Sequence, residues 1–426
     1  MISETIGFTV HLISNAITNI SNAFNAYYKI MRNISRCCCN VKGVLFDTFS
    51  CKFDTFQHKT NVDGKCRILT SSLLTSRNIS TSDQYEKMRP LPSEMKGVLV
   101  ESFGTIEELR LRNNLPLPTE SLEKLERTQI LVRVVYAGVN PVDTYIRSGV
   151  YARLPKLPYI PGSDASGYIE AIGADVCKTS HPIGSRVFVT GAGKGSGCYA
   201  EYVTVDLNYV FPLDQRLSFA QGAGLGVPYF TAYKAVVIGA QATKKERILV
   251  HGASGAVGTA ATQIANSLGC EVFGTAGTQE GMDIVKRCGA HFVFNHRESD
   301  YTEKIEKSTN GEGFDVIIEN LANINLDKDM QMLRKGARIM IVGSRGEITI
   351  NPRYLMAPEA SIKGVALGST TDEQYREIGF AISVGIAAGW VNPIVDKEYD
   401  LDKTQRAHHD IVNSSGAKGN LVIKLF

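Results

Sequence analysis

Between residues 220 and 368, short apolar runs alternate with stretches whose apolar positions recur every three or four residues. Arg247-Ile248-Leu249-Val250 reads as a strand, and beyond it Val257, Ala261, Ile264 and Leu268 fall on one helical face. Further strand-like runs follow at 271–275, 291–295, 315–319, 338–343 and 361–365. This alternation predicts a parallel, doubly wound sheet covered by helices. Residues 95–215 carry a different pattern. Runs at 97–100, 130–135, 167–172 and 186–189, punctuated by Gly and Pro, predict a mostly β domain. Residues 369–426 predict one apolar helix near 380–390 and a final strand at 420–426.

The pattern changes again before Met95. Ile6, Val10, Ile13, Ile17, Ile20, Phe24 and Tyr27 step by four and three, which places them on one amphipathic face. A basic, Ser-rich, acid-free stretch follows at 65–77. Residues 1–94 hold seven acids against eleven Lys and Arg, a net +4, while the rest of the chain nets −1. Such composition suits an organellar transit segment. It also suits a disordered extension, or an upstream start with Met88 or Met95 as the real one. Cys37-Cys38-Cys39 is a candidate acylation cluster. A cytoplasmic location is expected, and a mitochondrial one if residues 1–94 act as a transit segment.

A net charge of +3 demands neither nucleic acid nor a membrane surface as partner. Nine cysteines, irregularly spaced beyond residue 66, form no disulfide framework. No stretch has the length and uniform apolarity of a membrane span.

The candidate chemistry starts at residues 251–258, between the strand and the helix. Ala253-x-Gly255-x-x-Gly258 is a variant of the dinucleotide fingerprint, with alanine at the first glycine position. Small residues let the backbone approach a pyrophosphate, and the helix N-terminus supplies free N–H groups. The next strand ends in Thr275-Ala276-Gly277-Thr278, without the acid that would hold a ribose 2′-hydroxyl. The strand after it ends in Asn295-His296-Arg297. A missing carboxylate beside two possible phosphate donors favours NADP(H) over NAD(H).

Further matches are ordered along the chain. They are Ala137-Gly138-Val139-Asn140-Pro141-Val142-Asp143-Thr144-Tyr145, Pro161-Gly162-Ser163-Asp164, Gly197-Cys198-Tyr199-Ala200-Glu201-Tyr202 and Val227-Pro228-Tyr229-Phe230-Thr231-Ala232-Tyr233. With Leu321-Ala322-Asn323-Ile324-Asn325 and Val342-Gly343-Ser344-Arg345, they closely resemble the medium-chain dehydrogenase/reductase superfamily. Within it the resemblance is to the zeta-crystallin type of NADPH:quinone reductases, from about Met95 to Phe426. It implies an α/β fold: a GroES-like, mostly β domain at 95–222 and 369–426, with a Rossmann NADP-binding domain inserted at 223–368.

The resemblance also implies roles. Tyr145 lies against the nicotinamide end, with Asn140 and Asp143 in the same cleft loop as candidate catalytic residues. Ser254, Gly255, Ala256 and Val257 meet the pyrophosphate, and Gly277 and His296 the adenosine phosphate. Asn325, Val342, Gly343, Ser344, Arg345, Val365, Ala366 and Leu367 line the ribose and nicotinamide side. NADPH is the implied cofactor and a quinone the implied substrate, with ortho-quinones passing to semiquinones. Relatives form homodimers or homotetramers.

Zinc members of the superfamily resemble one another in a Gly-His-Glu run whose His binds metal. This chain has Gly162-Ser163-Asp164 there, and only Cys177 and Cys198 between residues 167 and 251. A carboxylate alone is a poor zinc site, so no metal is expected. A quinone needs no Lewis acid, since its ring accepts electrons readily and the cofactor carries the hard chemistry. Two other readings stay open: an RNA-binding or structural role known among relatives, and a zinc-free NADPH enoyl reductase.

Overall fold

The apolar runs become strands in two sheets of different character, seen in a computed structural model that describes residues 91–119, 124–191, 197–414 and 416–426. The amphipathic stretch, the Ser-rich basic segment and the three adjacent cysteines lie outside the described residues.

The chain enters through β1 (Glu94–Leu99), which pairs antiparallel with β2 (Arg110–Pro116). β3 (Gln129–Val139) leads into a short helix, α1 (Pro141–Arg147), whose proline at its start is pre-set for the first helical φ. Then follow β4 (Asp164–Ile172), β5 (Arg186–Val189), β6 (Tyr202–Asp206) and β7 (Val210–Pro212). Two helices, α2 (Phe219–Ala223) and α3 (Gly226–Tyr233), lead out of this region, α3 running on as a π-helical turn at Lys234–Gly239.

The alternating part follows as expected: β8 (Arg247–Val250), α4 (Ala256–Ser267), β9 (Glu271–Ala276), α5 (Gln279–Arg287), β10 (Phe292–Asn295), α6 (Tyr301–Ser308), β11 (Phe314–Glu319), α7 (Ala322–Asp329), β12 (Leu333–Ile341) and β13 (Ser361–Gly364). The chain ends in α8 (Asp372–Ala388), β14 (Val395–Asp400), α9 (Thr404–Asn413) and β15 (Asn420–Lys424).

β8 to β13 form a six-stranded sheet in the order β10-β9-β8-β11-β12-β13, parallel throughout. Ile248, Leu249 and Val250 are fully buried, as a parallel strand covered by helices on both faces requires. The strand order reverses between β8 and β11, the place where doubly wound sheets bind ligands. The second sheet runs β14-β15-β3-β4-β5-β7, with β6 also on β3, and is antiparallel except for β14 on β15. The last strand of the chain thus completes a sheet begun before the parallel one.

Several elements differ from the pattern-based reading. α8 starts at Asp372, eight residues before the predicted stretch, because Thr371 and Gln374 cap it reciprocally. β14, Val-Asp-Lys-Glu-Tyr-Asp, is an edge strand rich in charge, so no apolar run announces it. α9 buries Thr404, Ala407, His408 and Asp410, a mostly polar face that hydrophobic periodicity does not reveal. Among the described residues no helix is long and apolar enough to cross a membrane.

Candidate active site

The turn between β8 and α4 is built from backbone. Its sharp bend falls at Gly252, which takes a left-handed φ of 59°. Ala253 needs no such conformation, which explains how alanine stands at the first fingerprint position. Its methyl group packs where β9 has Gly274: a Cβ on Gly274 would lie 3.0 Å from Ala253 Cβ. Gly258 is fixed by close approach, since a Cβ there would lie 2.3 Å from the Gly252 carbonyl oxygen. Gly255 differs from both. Nothing in the protein lies closer than 3.5 Å to its hypothetical Cβ, so its own fold does not impose glycine there. It leaves the backbone open to a ligand. Gly255 caps α4, and Ala256 and Val257 begin it half-exposed, with the free N–H groups of a first helical turn. Ser254 is buried, and its carbonyl accepts from Gly419 N at 2.7 Å.

At the end of β9 the structure brings Gly277 and His296 together, with Arg297 beside them. A Cβ on Gly277 would stand 2.7 Å from His296 Nε2 and 3.0 Å from Arg297 Nε. Partial desolvation, then the neighbouring His251 and Arg297, lower the His296 imidazole below its ordinary value. No carboxylate ends the strand. The nearest acid along α5, Glu280, accepts from Lys418 at 2.9 Å.

On the other side of β8, Asn325 sits on α7 and donates to Glu319 Oε1 at 3.3 Å. Val342 and Gly343 leave β12 with their N–H groups on the Glu319 carbonyl, at 2.8 and 3.3 Å. Ser344 donates to the Gly346 carbonyl at 3.0 Å. Arg345 is held at both ends: its N–H donates to Asn323 Oδ1 at 2.9 Å and its guanidinium to the Val412 carbonyl of α9 at 3.2 Å. Val365 and Leu367 are half-buried beyond β13. The Ala366 carbonyl accepts from Lys234 Nζ at 2.9 Å, which also reaches Ser369 and Thr370. Lys234 clamps this turn, and pattern reading did not find it.

α1 and its approach form a second, side-chain-built centre. Asp143 is buried; its Oδ2 accepts from Asn140 N at 2.9 Å and from the Tyr199 hydroxyl at 3.2 Å, and its Oδ1 from Ser163 Oγ at 3.1 Å. Asn140 turns its side chain to Asp164 Oδ2 at 2.9 Å, which also accepts from Val227 N at 2.7 Å. Burial pushes both carboxyls up, Asp143 to about 6 and Asp164 to about 7. Behind them Tyr199 OH meets His408 Nε2 at 3.2 Å. Burial holds His408 down to about 3, aided by the charge of Arg147, so its ring is neutral. Tyr145 and Ser163 are half-buried, whereas Asn140 and Asp143 are engaged in the network. The Tyr145 hydroxyl makes no hydrogen bond among the described residues. Ser163, Asp164, Tyr199 and His408 were not singled out as site residues from sequence. Only the motifs around Ser163 and Tyr199 carried a signal for them.

Two bridges join the centres. Arg153, six residues past α1, donates to the Gly368 carbonyl at 3.1 Å, beside Val365, Ala366 and Leu367. Arg345 reaches α9, the helix that carries His408.

Comparison with known proteins agrees with this architecture. Residues 126–215 match the family model of the alcohol dehydrogenase GroES-like domain, and residues 256–382 that of the zinc-binding dehydrogenases. The chain is 47% identical over 331 residues to a human protein named quinone oxidoreductase, covering 78% of this chain and 98% of that one. The rat quinone oxidoreductase is 46% identical with the same coverage. Among solved structures, Escherichia coli quinone oxidoreductase complexed with NADPH superposes with a TM-score of 0.68 at 26% identity, over 78% of this chain and all of that one. An NAD-dependent alcohol dehydrogenase shares the fold, with a TM-score of 0.71 at 24% identity. As its motifs imply, the chain belongs to the quinone oxidoreductase family of the medium-chain dehydrogenase/reductase superfamily.

Proposed function

We propose that this protein reduces quinones, ortho-quinones in particular, with NADPH and without zinc. The observation that carries the reading is the pairing of an open glycine turn at Gly255 with an acid-free phosphate corner at Gly277, His296 and Arg297. Ser254 to Val257 would hold the pyrophosphate through backbone N–H groups. His296 and Arg297 suit the 2′-phosphate, where a carboxylate would repel it. Asn325, Val342 to Arg345 and Val365 to Leu367 would receive the ribose and nicotinamide. In this reading residues 223–368 are the cofactor domain, inserted into 95–222 and 369–426.

The cleft does not fit zinc. Asn140, Ser163 and Asp164 offer an amide, a hydroxyl and one carboxylate. Asn140 donates to Asp164 Oδ2 and Ser163 to Asp143, which leaves Asp164 Oδ1 without a hydrogen-bond partner among the described residues, a single carboxylate oxygen where zinc favours several N and S ligands. When bound, NADPH supplies the reducing equivalents. The protein's task is to orient the quinone and exclude water. Half-buried Tyr145 would supply an aromatic face to the substrate. Ser163 Oγ is the accessible end of a hydrogen-bonded chain through Asp143 and Tyr199 to His408. With its carboxyl held up to about 6, Asp143 is mostly ionised at neutral pH, where it accepts from Ser163 Oγ and fixes the orientation of that hydroxyl. We assign the protein to the cytoplasm, as a homodimer or homotetramer.

The test is NADPH oxidation by the purified chain with 9,10-phenanthrenequinone, beside a 2-enoyl thioester. Turnover of the quinone with no bound metal supports the reading. Turnover of the thioester alone, or stoichiometric zinc, overturns it.

A further inference from the structure

Beneath the glycine turn lies a cluster that the proposed reaction does not use. His251 follows β8 directly, Glu319 ends β11 and Asp329 ends α7, and all three are buried. His251 Nε2 lies 2.8 Å from Asp329 Oδ1 and 4.0 Å from Glu319 Oε2. Its Nδ1 lies 3.3 Å from Thr275 Oγ1 on β9. Both ring nitrogens therefore face oxygen atoms, the arrangement a charged imidazolium needs. Among the described residues, Glu319 Oε2 and Asp329 Oδ2 have no hydrogen-bond partner. Two ionised carboxylates would leave both oxygens unsatisfied in the core. A single proton kept on Glu319 and shared with Asp329 satisfies both.

The cluster touches the glycine turn, the Asn325 arm and the adenosine corner of the candidate dinucleotide site. Thr275 Oγ1, beside the His251 ring, accepts the N–H of Gly252 at 3.1 Å. Asn320 donates to the His251 carbonyl at 2.8 Å and so ties the end of β11 to the turn. Glu319 Oε1 accepts from Leu321 N and from Asn325 Nδ2. The charge of His251 is also felt by His296 at the adenosine corner.

We propose that the buried His251–Asp329–Glu319 cluster is a positioning device for the dinucleotide, holding the glycine turn and the Asn325 arm in one register. The proposal rests on the NADPH reading above. A charged His251 against the Asp329 carboxylate, with Glu319 protonated, leaves the cluster without net charge. Burial raises the Glu319 carboxyl far above its ordinary value, and the two carboxylates outweigh burial to raise His251. Other titratable groups facing the cluster are Lys328 on α7, Tyr301 on α6 and His296 after β10. Raised pKa values mean that the neutral arrangement holds at and below neutral pH and is lost as pH rises. Loss of the Glu319 proton then puts one uncompensated negative charge under the phosphates.

The experiment measures NADPH affinity by fluorescence titration, with steady-state kinetics, for full-length wild type, E319Q and D329N from neutral to alkaline pH. Wild-type affinity falls ~10-fold across this range, and E319Q, which cannot ionise at that position, loses the part of the fall that precedes deprotonation of His251. D329N raises the KM for NADPH ~10-fold, with kcat and the quinone KM changed less than ~3-fold. A flat wild-type profile overturns the proposal even if a variant fails to fold. So does an E319Q profile that follows wild type, or a stoichiometric metal in wild type that D329N loses. Wild-type binding at neutral pH reports on the cofactor reading separately, because that reading stands or falls there without any variant.

Discussion

At the glycine turn the atoms that face a ligand are backbone, and side chains matter mainly by being small. At α1 the same work falls to side chains from four separate segments, linked through a buried carboxyl. Gly258 is fixed by a contact of 2.3 Å that a methyl group would make with the Gly252 carbonyl oxygen. Asp143 is fixed by three donors, from Asn140, Ser163 and Tyr199. In the proposed reading the first centre would bind by shape and helix-end dipole. The second keeps a carboxyl buried at an energetic cost. On that reading the parallel-sheet crevice would supply the cofactor anchor, and the antiparallel domain the side chains beside the substrate.

The sharpest way to break this contrast is Gly258→Val. The added side chain displaces the turn from α4, so NADPH affinity should fall at least ~1,000-fold, about 4 kcal/mol. Fluorescence titration reads the loss. Binding within ~10-fold of wild type would mean that the turn does not hold the cofactor.

Asp143→Asn probes the other centre through stability. Burial raises the Asp143 carboxyl from 3.8 to about 6, so the folded protein keeps a proton that the unfolded chain has already released. Its contribution to stability therefore falls as pH rises from about 4 to about 6 and is constant above. A shift of roughly 2 units corresponds to about 3 kcal/mol. Denaturant unfolding at several pH values should show wild type losing up to that much relative to D143N across this window. Asp164, raised to about 7, adds its own slope to both proteins. Parallel curves would show that Asp143 is not held protonated.

A smaller effect is expected at Tyr145. Its hydroxyl makes no hydrogen bond among the described residues, so Tyr145→Phe should leave kcat/KM within ~2-fold. Tyr145→Ala removes the aromatic face and should lower it ~10-fold. Equal losses in both variants would assign a role to the hydroxyl instead of the ring.

The two centres also differ in how legible they are from sequence. The turn announces itself, because close backbone approach demands glycine at fixed spacing between a strand and a helix. Even so, the spacing could not show that Gly252 takes the left-handed bend, leaving Ala253 free to be alanine. The α1 network is legible only in part. Asn140, Asp143 and Tyr145 share one motif, but His408 lies more than 250 residues away on a helix whose buried face is mostly polar. The His251–Asp329–Glu319 cluster was missed for the same physical reason: its members meet only when β8, β11 and α7 pack together. The strands of the parallel sheet followed from apolar runs, whereas their order did not, and the charged edge strand β14 had no such run to show.

The central claim is that the corner of Gly277, His296 and Arg297 makes this a site for NADPH. Its most direct test is a paired titration of wild type and the H296A/R297A double variant with NADPH and NADH. Wild type should bind NADPH at least ~10-fold more tightly than NADH, and the double variant should lose that preference through weaker NADPH binding alone. Equal or tighter NADH binding by wild type, or an unchanged preference in the variant, would contradict the account.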